Sequence, residues 1–87
     1  MSIRVLFFAS IREAAGLAEI ELPAEYAISL EELMGLLGER LPDAGMAAIR
    51  AENVRVAVNQ TLGGERSAAM RIGPDDEVAF LPPVTGG

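Results

Sequence analysis

The chain contains no cysteine, no histidine and no lysine, and each absence excludes a kind of chemistry. Without cysteine there can be no disulfide framework and no thiolate nucleophile. Without histidine as well, the common zinc sites and a histidine general base are excluded. Because all 7 cationic side chains are arginines, an activated carboxyl group on this chain would meet no side-chain amine of its own.

Charge and length also restrict what the chain can bind. Its net charge of −6 makes nucleic acid and anionic membranes poor partners. A basic protein partner fits better, although an acidic surface also serves solubility. No apolar run approaches the ~20 residues of a membrane span, and the first residues do not resemble a secretory signal. We therefore expect a cytoplasmic protein with a single modest core that binds neither nucleic acid nor membrane.

The first quarter of the chain predicts two strands and a short helix. Ser10 and Glu13 have the spacing of a capping box, which predicts a helix over 11–15 closed by Gly16. Alternation over 18–22 predicts a second strand. The first strand is predicted from the alternating apolar residues Ile3, Val5 and Phe7.

The clearest pattern is that of the main helix. Ser29 is predicted as its N-cap and Glu32 as the capping-box partner. Pro42 should end this helix, and 43–51 should form a second short helix. The apolar stripe of the main helix has helical spacing. It consists of Leu30, Leu33, Met34, Leu37 and Leu41.

The second half predicts two further strands and an α+β fold. Alternating valines over 54–58 indicate the third strand, and Gly63-Gly64 indicates a loop or hairpin tip. Residues 73–76 form a predicted turn before the last strand at 77–81. The main helix should pack on one face of the sheet. In the last strand, the residues predicted to face the core are Val78 and Phe80, which leaves Glu77, Ala79 and Leu81 facing outward. In the first strand, Leu6 and Phe8 share the parity of Arg4 and should also face away from the helix.

The C-terminal segment has the features of a projecting arm. Pro82 and Pro83 cannot donate to a sheet and favour an extended backbone. Gly86 and Gly87 carry no Cβ and could pass a narrow constriction. Residues 82–87 can extend at most roughly 20 Å. We therefore predict a domain at 1–81 and a tail at 82–87 that ends in an unhindered α-carboxylate.

With this tail, the sequence resembles the small, sulfur-carrying subunits of molybdopterin synthases. The matching segments occur in the family's order along the whole chain. They are Val5-Leu6-Phe7-Phe8-Ala9, Arg12-Glu13, Ala57-Val58-Asn59-Gln60-Thr61-Leu62 and Asp76 to Gly87. The resemblance implies a ubiquitin-like β-grasp, a mixed sheet with one main helix on one face and the first and last strands adjacent at its centre.

The resemblance also implies a reaction cycle. A ubiquitin-activating-like adenylyltransferase would use ATP to activate Gly87, and a sulfurtransferase would supply the sulfur. The resulting thiocarboxylate would enter the large catalytic subunit, in an expected heterotetramer, and give its sulfur to cyclic pyranopterin monophosphate. The catalytic residues would lie on the large subunit, and this chain itself would bind no cofactor and no metal.

The family's functional positions match two groups of residues in this chain. The resemblance implies that Gly87 carries the sulfur, and that Phe8, Leu62 and Leu81 dock the partner. The stretch 63–71 is longer than in relatives, which leaves the contacts of that loop open. The residues that would guide the tail are Pro82, Pro83, Val84, Thr85 and Gly86.

Other interpretations remain open at this point. The chain could carry sulfur for thiazole synthesis or tRNA thiolation, act as a ubiquitin-like modifier, or be a passive binding module. The carboxylate pairs Glu31-Glu32 and Asp75-Asp76 are explained by a helix start and a turn, where acidic residues are common. The sequence therefore contains no set of side chains typical of a catalytic site, and its one distinctive reactive group is the C-terminal carboxylate.

Overall fold

The computed structural model describes residues 1–62 and 70–83, apart from the side chains of residues 61 and 62. Within these residues it contains seven strands and three helices. Their bounds are β1 Ser2–Phe7, α1 Ala9–Ala15, β2 Glu19–Pro23, β3 Ile28–Ser29, α2 Leu30–Gly38, α3 Asp43–Arg50, β4 Arg55–Val58, β5 Thr61–Leu62, β6 Arg71–Ile72 and β7 Glu77–Leu81.

Five of the strands form one mixed sheet. Their order is β2-β1-β7-β4-β5, and β3 and β6 form a separate two-stranded ladder. β1 and β7 are parallel, whereas β2 pairs with β1, and β4 with β7, in antiparallel fashion. The first and last strands therefore lie side by side, as the resemblance implied. The predicted α+β class with a mixed sheet is confirmed.

The helix-facing side of the sheet forms the core. Val5 and Val78 are in register and both are fully buried. One step along the strands, Phe7 pairs with Phe80, and their rings stack with centroids 6.1 Å apart. Phe80 is 0% exposed, so the end of β7 is anchored in the core just before the tail begins.

The main helix α2 has the predicted start but an earlier end. Ser29 Oγ accepts the Glu32 amide at 3.0 Å, and Glu32 Oε1 accepts the Ser29 amide at 3.0 Å, which confirms the capping box. The helix ends at Gly38 rather than at Pro42. Leu41 is nevertheless buried, and its amide donates to the Leu37 carbonyl at 2.9 Å. Leu41 therefore continues the apolar stripe beyond the end of the helix.

The capping box predicted for the first helix is wrong. α1 begins at Ala9, and its N-cap is Phe8, whose side chain cannot accept a hydrogen bond. The Phe8 carbonyl accepts the amides of Ile11 and Arg12 at 3.0 and 3.3 Å, which places Ser10 inside the helix. The predicted closure is confirmed, because Gly16 caps the C-terminus with φ of 83°.

Three short strands were not located from the sequence. β3, β5 and β6 contain two residues each, which is too short for alternation to be visible in the sequence. The short helix predicted over 43–51 is confirmed as α3, with Ile49 fully buried. The hairpin tip predicted at Gly63-Gly64 lies outside the described residues.

Candidate functional site

The end of β7, from which the predicted tail would leave, is held by neighbouring strands on both sides. Leu81, the last residue of β7, pairs with Arg55 of β4. On the other side, the Phe8 amide donates to the Phe80 carbonyl at 3.3 Å, so contact with β1 continues to the end of the sheet. Pro82 is half-buried and Pro83 exposed, and both lie beyond the strand. The predicted tail therefore follows a strand in the interior of the sheet.

Phe8 places an aromatic ring beside this point. Its backbone is extended, with φ of −118° and ψ of 150°, so the alternation of β1 continues through it. Its side chain therefore lies on the face opposite the helices, next to Leu81 in the parallel register. It is 44% exposed, whereas Phe7 is 2% exposed. The prediction that Phe8 faces away from the core is confirmed.

A second row of small and apolar side chains lies behind Phe8 and Leu81. Leu6, Ala79 and Ala57 are in register across β1, β7 and β4. Both alanines face away from the helices yet are only 8% and 5% exposed. The prediction that Ala79 faces outward gave its side of the sheet correctly, although the residue is buried. We call these five residues, Leu6, Phe8, Ala57, Ala79 and Leu81, the tail-root face.

The backbone of Leu62 also reaches this part of the sheet. In the β4–β5 hairpin, Leu62 pairs with Ala57. The structure thus brings the backbone of Leu62 close to the tail-root face, while its side chain is outside the described residues. The tail positions Val84, Thr85, Gly86 and Gly87 are outside them too, so their assigned roles stay predictions.

Charge is unevenly distributed along the outer face. At the end far from the tail, Arg4 Nε lies 2.8 Å from Glu19 Oε2, and Arg4 Nη1 lies 3.7 Å from Glu77 Oε1. The hydrogen bond and charge of Arg4 lower the pKa of Glu19, while Glu19 raises the pKa of Arg4. At the tail end, Arg55 is exposed, and no carboxylate of the described residues is within 4.0 Å of it.

A hydrogen-bonded clamp fixes the start of β7. The Asn59 amide donates to the Glu77 carbonyl at 2.7 Å, and the Glu77 amide donates to Asn59 Oδ1 at 2.9 Å. Asn59 Nδ2 also donates to Asp76 Oδ1 at 2.9 Å, and the Gly73 amide donates to Asp76 Oδ2 at 2.6 Å. The hydrogen bonds to Asp76 lower the pKa of its carboxyl group, and the one from Asn59 has the largest effect. β4, the 73–76 turn and β7 are therefore held together at one point.

The same asparagine also forms the hairpin turn between β4 and β5. Val58 pairs with Thr61, and the two intervening residues Asn59 and Gln60 have φ of 52° and 69°. Two positive φ values between paired residues define a type I′ turn, for which asparagine is well suited. This turn was not predicted from the sequence. An asparagine directly after an alternating strand was the available signal.

One carboxylate of each pair is engaged as the structural interpretation of the pairs suggested. Glu32 belongs to the α2 capping box, which lowers its pKa through hydrogen bonds from Ser29. Asp76 belongs to the clamp. Within residues 1–62 and 70–83 there is no cluster of three acidic side chains able to hold a metal ion. No helix of this part of the chain is long and apolar enough to cross a membrane.

The sequence is similar to that of known sulfur carrier proteins along nearly its whole length. The profile described as the ThiS family matches residues 5–87. The molybdopterin synthase sulfur carrier subunit of Haemophilus influenzae is 39% identical over 85 residues, covering 98% of this chain and 99% of that protein. Its Escherichia coli counterpart has the same identity and coverage.

Solved structures agree with the fold. One chain of the complex of subunits 1 and 2 of the molybdopterin-converting factor from Helicobacter pylori is 25% identical, with a TM-score of 0.66 and full coverage of both chains. Small archaeal modifier protein 1 from Methanosarcina acetivorans has a TM-score of 0.72 at 23% identity, covering 99% of this chain and 96% of its own. These likenesses confirm the ubiquitin-like β-grasp. Because the family profile covers nearly the whole sequence, the chain belongs to the ThiS family.

Proposed function

We propose that this chain is the sulfur carrier subunit of a molybdopterin synthase in molybdenum cofactor biosynthesis. The observation that carries the proposal is the nearly full-length match to subunits of that name at 39% identity. The family match also extends through residue 87, so it includes the tail. In this function Gly87 carries sulfur as a thiocarboxylate and gives it to cyclic pyranopterin monophosphate.

The geometry of the tail root supports delivery into a narrow site. β7 is paired on both sides, and Phe80 anchors its end in the core, so the arm starts from a fixed point. Pro82 and Pro83 would keep the first part of the arm extended. The remaining residues could bring Gly87 roughly 20 Å from Leu81, which is far enough to enter another protein's active site.

The chemistry requires activation before sulfur can be attached. A carboxylate is a poor electrophile, so a Gly87 oxygen first attacks the α-phosphate of ATP, and pyrophosphate leaves. The terminal sulfur of a persulfide then attacks the acyl carbon, and AMP leaves. A thiol reduces the resulting acyl disulfide, becoming oxidised to a disulfide itself, and the thiocarboxylate remains on Gly87. Two such deliveries supply the two sulfurs of a dithiolene.

The partners follow from this cycle. The Helicobacter pylori structure is a complex of two subunits, which supports a large-subunit partner for this chain. We assign docking of that partner to Phe8, Leu62 and Leu81, and guidance of the arm to 82–86. An adenylyltransferase and a sulfurtransferase would act on the tail before docking. Since adenylation consumes ATP, we place the cycle in the cytoplasm.

Reconstitution tests this function. Thiocarboxylated chain is mixed with the purified large subunit and cyclic pyranopterin monophosphate, and molybdopterin is detected by chromatography of its oxidised fluorescent derivative. We expect product from the full chain and none from a variant lacking Gly87. Thiocarboxylated chain that gives no product with an active large subunit would direct attention to thiazole or tRNA thiolation, or to protein modification.

A further inference from the structure

One cation lies on the outer face of the sheet beside the tail root. Arg55 pairs with Leu81 across β4 and β7, and the two side chains share the face opposite the helices. In the parallel register Phe8 follows on the other side of Leu81. Phe8, Leu81 and Arg55 thus form one row, in which two apolar side chains are followed by the exposed guanidinium of Arg55.

This arginine differs from Arg4, which lies on the same face. Arg4 is held by Glu19 at 2.8 Å and by Glu77 at 3.7 Å. Arg55 has no such partner among the described residues. An exposed arginine beside the tail root is also unusual in a chain with 13 acidic and 7 basic residues, because its net charge of −6 would favour a basic partner. A basic partner surface would repel Arg55 unless it offered an anion at that position.

We propose that Arg55 is a specificity-determining contact, which pairs with a side-chain carboxylate of the large subunit at the mouth of the channel that receives the tail. This inference rests on the proposed function. Arg55 lies beside Leu81, whereas Gly87 can be roughly 20 Å farther along the arm. The guanidinium therefore meets the rim of the partner's channel, and the phosphate of the pterin substrate lies out of its reach.

The contact would fix the orientation of docking. Apolar contacts at Phe8 and Leu81 are not strongly directional, whereas a guanidinium pairs with a carboxylate in a defined geometry. A cation at this position of an acidic protein would thus select one register of the tail-root face on the partner.

Three variants test the contact by calorimetric titration with the large subunit. Arg55→Gln removes the charge, Arg55→Glu reverses it, and Arg40→Glu makes the same reversal at an exposed position after α2, on the helix side. We expect Kd to rise about threefold to fivefold for Arg55→Gln, about tenfold or more for Arg55→Glu, and less than about twofold for Arg40→Glu. Thermal unfolding should be unchanged in all three, because both arginines are exposed.

A charge swap identifies the partner group. Surface Asp and Glu residues of the large subunit are exchanged for Arg one at a time, and one exchange should restore the affinity of Arg55→Glu. Wild-type affinity in both Arg55 variants, equal weakening by Arg40→Glu, or failure of every swap would overturn the contact while leaving the proposed function standing. A wild-type chain that does not bind the large subunit would overturn the proposed function itself.

Discussion

Phe8 is the exposed aromatic residue of the tail-root face, and its removal should weaken binding of the large subunit. An aromatic side chain buries about 150–250 Å² when fully covered. With 44% of Phe8 exposed, docking could cover about another 90 Å². At about 25 cal/mol per Å², and allowing for the area that alanine keeps, Phe8→Ala should cost about 1.5–2 kcal/mol. Kd should therefore rise about tenfold to thirtyfold.

Tyr26 provides a matched control for this measurement. It is 72% exposed and lies at the opposite end of the sheet, where it lines a shallow groove with Met1 and Leu36. Calorimetric titration should give Tyr26→Ala a Kd within about twofold of wild type. The backbone hydrogen bonds of Phe8 do not depend on its ring, so Phe8→Ala should remain folded. Unchanged binding by Phe8→Ala, or equal losses in both variants, would refute docking through the tail-root face.

Two glycines and the Asn59 clamp give further predictions. In urea unfolding, Gly45→Ala should lower the free energy of unfolding by about 1–3 kcal/mol, because the new Cβ would lie 2.9 Å from the Ala15 Cα. Gly35 has open space around it, so Gly35→Ala should raise the free energy of unfolding by about 0.5–1 kcal/mol. Asn59→Ala should cost about 1–2 kcal/mol in the same assay, since it removes the side-chain bonds to Asp76 and Glu77. The pKa of Asp76 is lowered from 3.8, so its contribution to stability is present above pH 3.8 and is lost as the pH falls through the lower folded value. Asp76→Asn should therefore flatten the fall in unfolding free energy below about pH 4 in acid titrations.

Each of these predictions has a contradicting result. If Gly45→Ala stabilised the protein as Gly35→Ala does, the contact between α1 and α3 would be looser than the structure shows. An Asn59→Ala variant as stable as wild type would mean that the turn and β7 are held without the clamp. An acid-unfolding profile of Asp76→Asn identical to that of wild type would show that this carboxylate has the same pKa in the folded and unfolded chain.

Long periodic patterns predicted most of the fold. β1, α2 and β7 were located because alternation or helical spacing persists over five or more residues in each. The two-residue strands β3 and β6 leave no such pattern. They form only because the folded chain brings these two segments, distant in sequence, next to each other. The capping-box spacing at Ser10 misled, because the Phe8 carbonyl accepts the first hydrogen bonds of the helix and the helix starts two residues earlier than the spacing suggests.

For the site, the sequence predicted only which side chains share a face of the sheet, because this follows from their alternation along a strand. Alternation placed Leu6, Phe8 and Leu81 on the outer face, and the structure agrees. Arg55 was not identified, because its position depends on the register between β4 and β7, which no local pattern encodes. The clamp likewise joins residues 17 and 18 positions apart. The roles of 84–87 came from the family resemblance, and they remain predictions.

The most direct test of the sulfur-carrier function is the intact mass of the chain after loading. The chain is incubated with ATP, a sulfur donor, an activating enzyme and a sulfurtransferase, beside a variant that lacks Gly87. We predict a mass gain equal to the exchange of one oxygen for one sulfur in the full chain and no gain in the variant. An unchanged mass of the full chain, with an enzyme set that loads a known sulfur carrier, would contradict the proposed function.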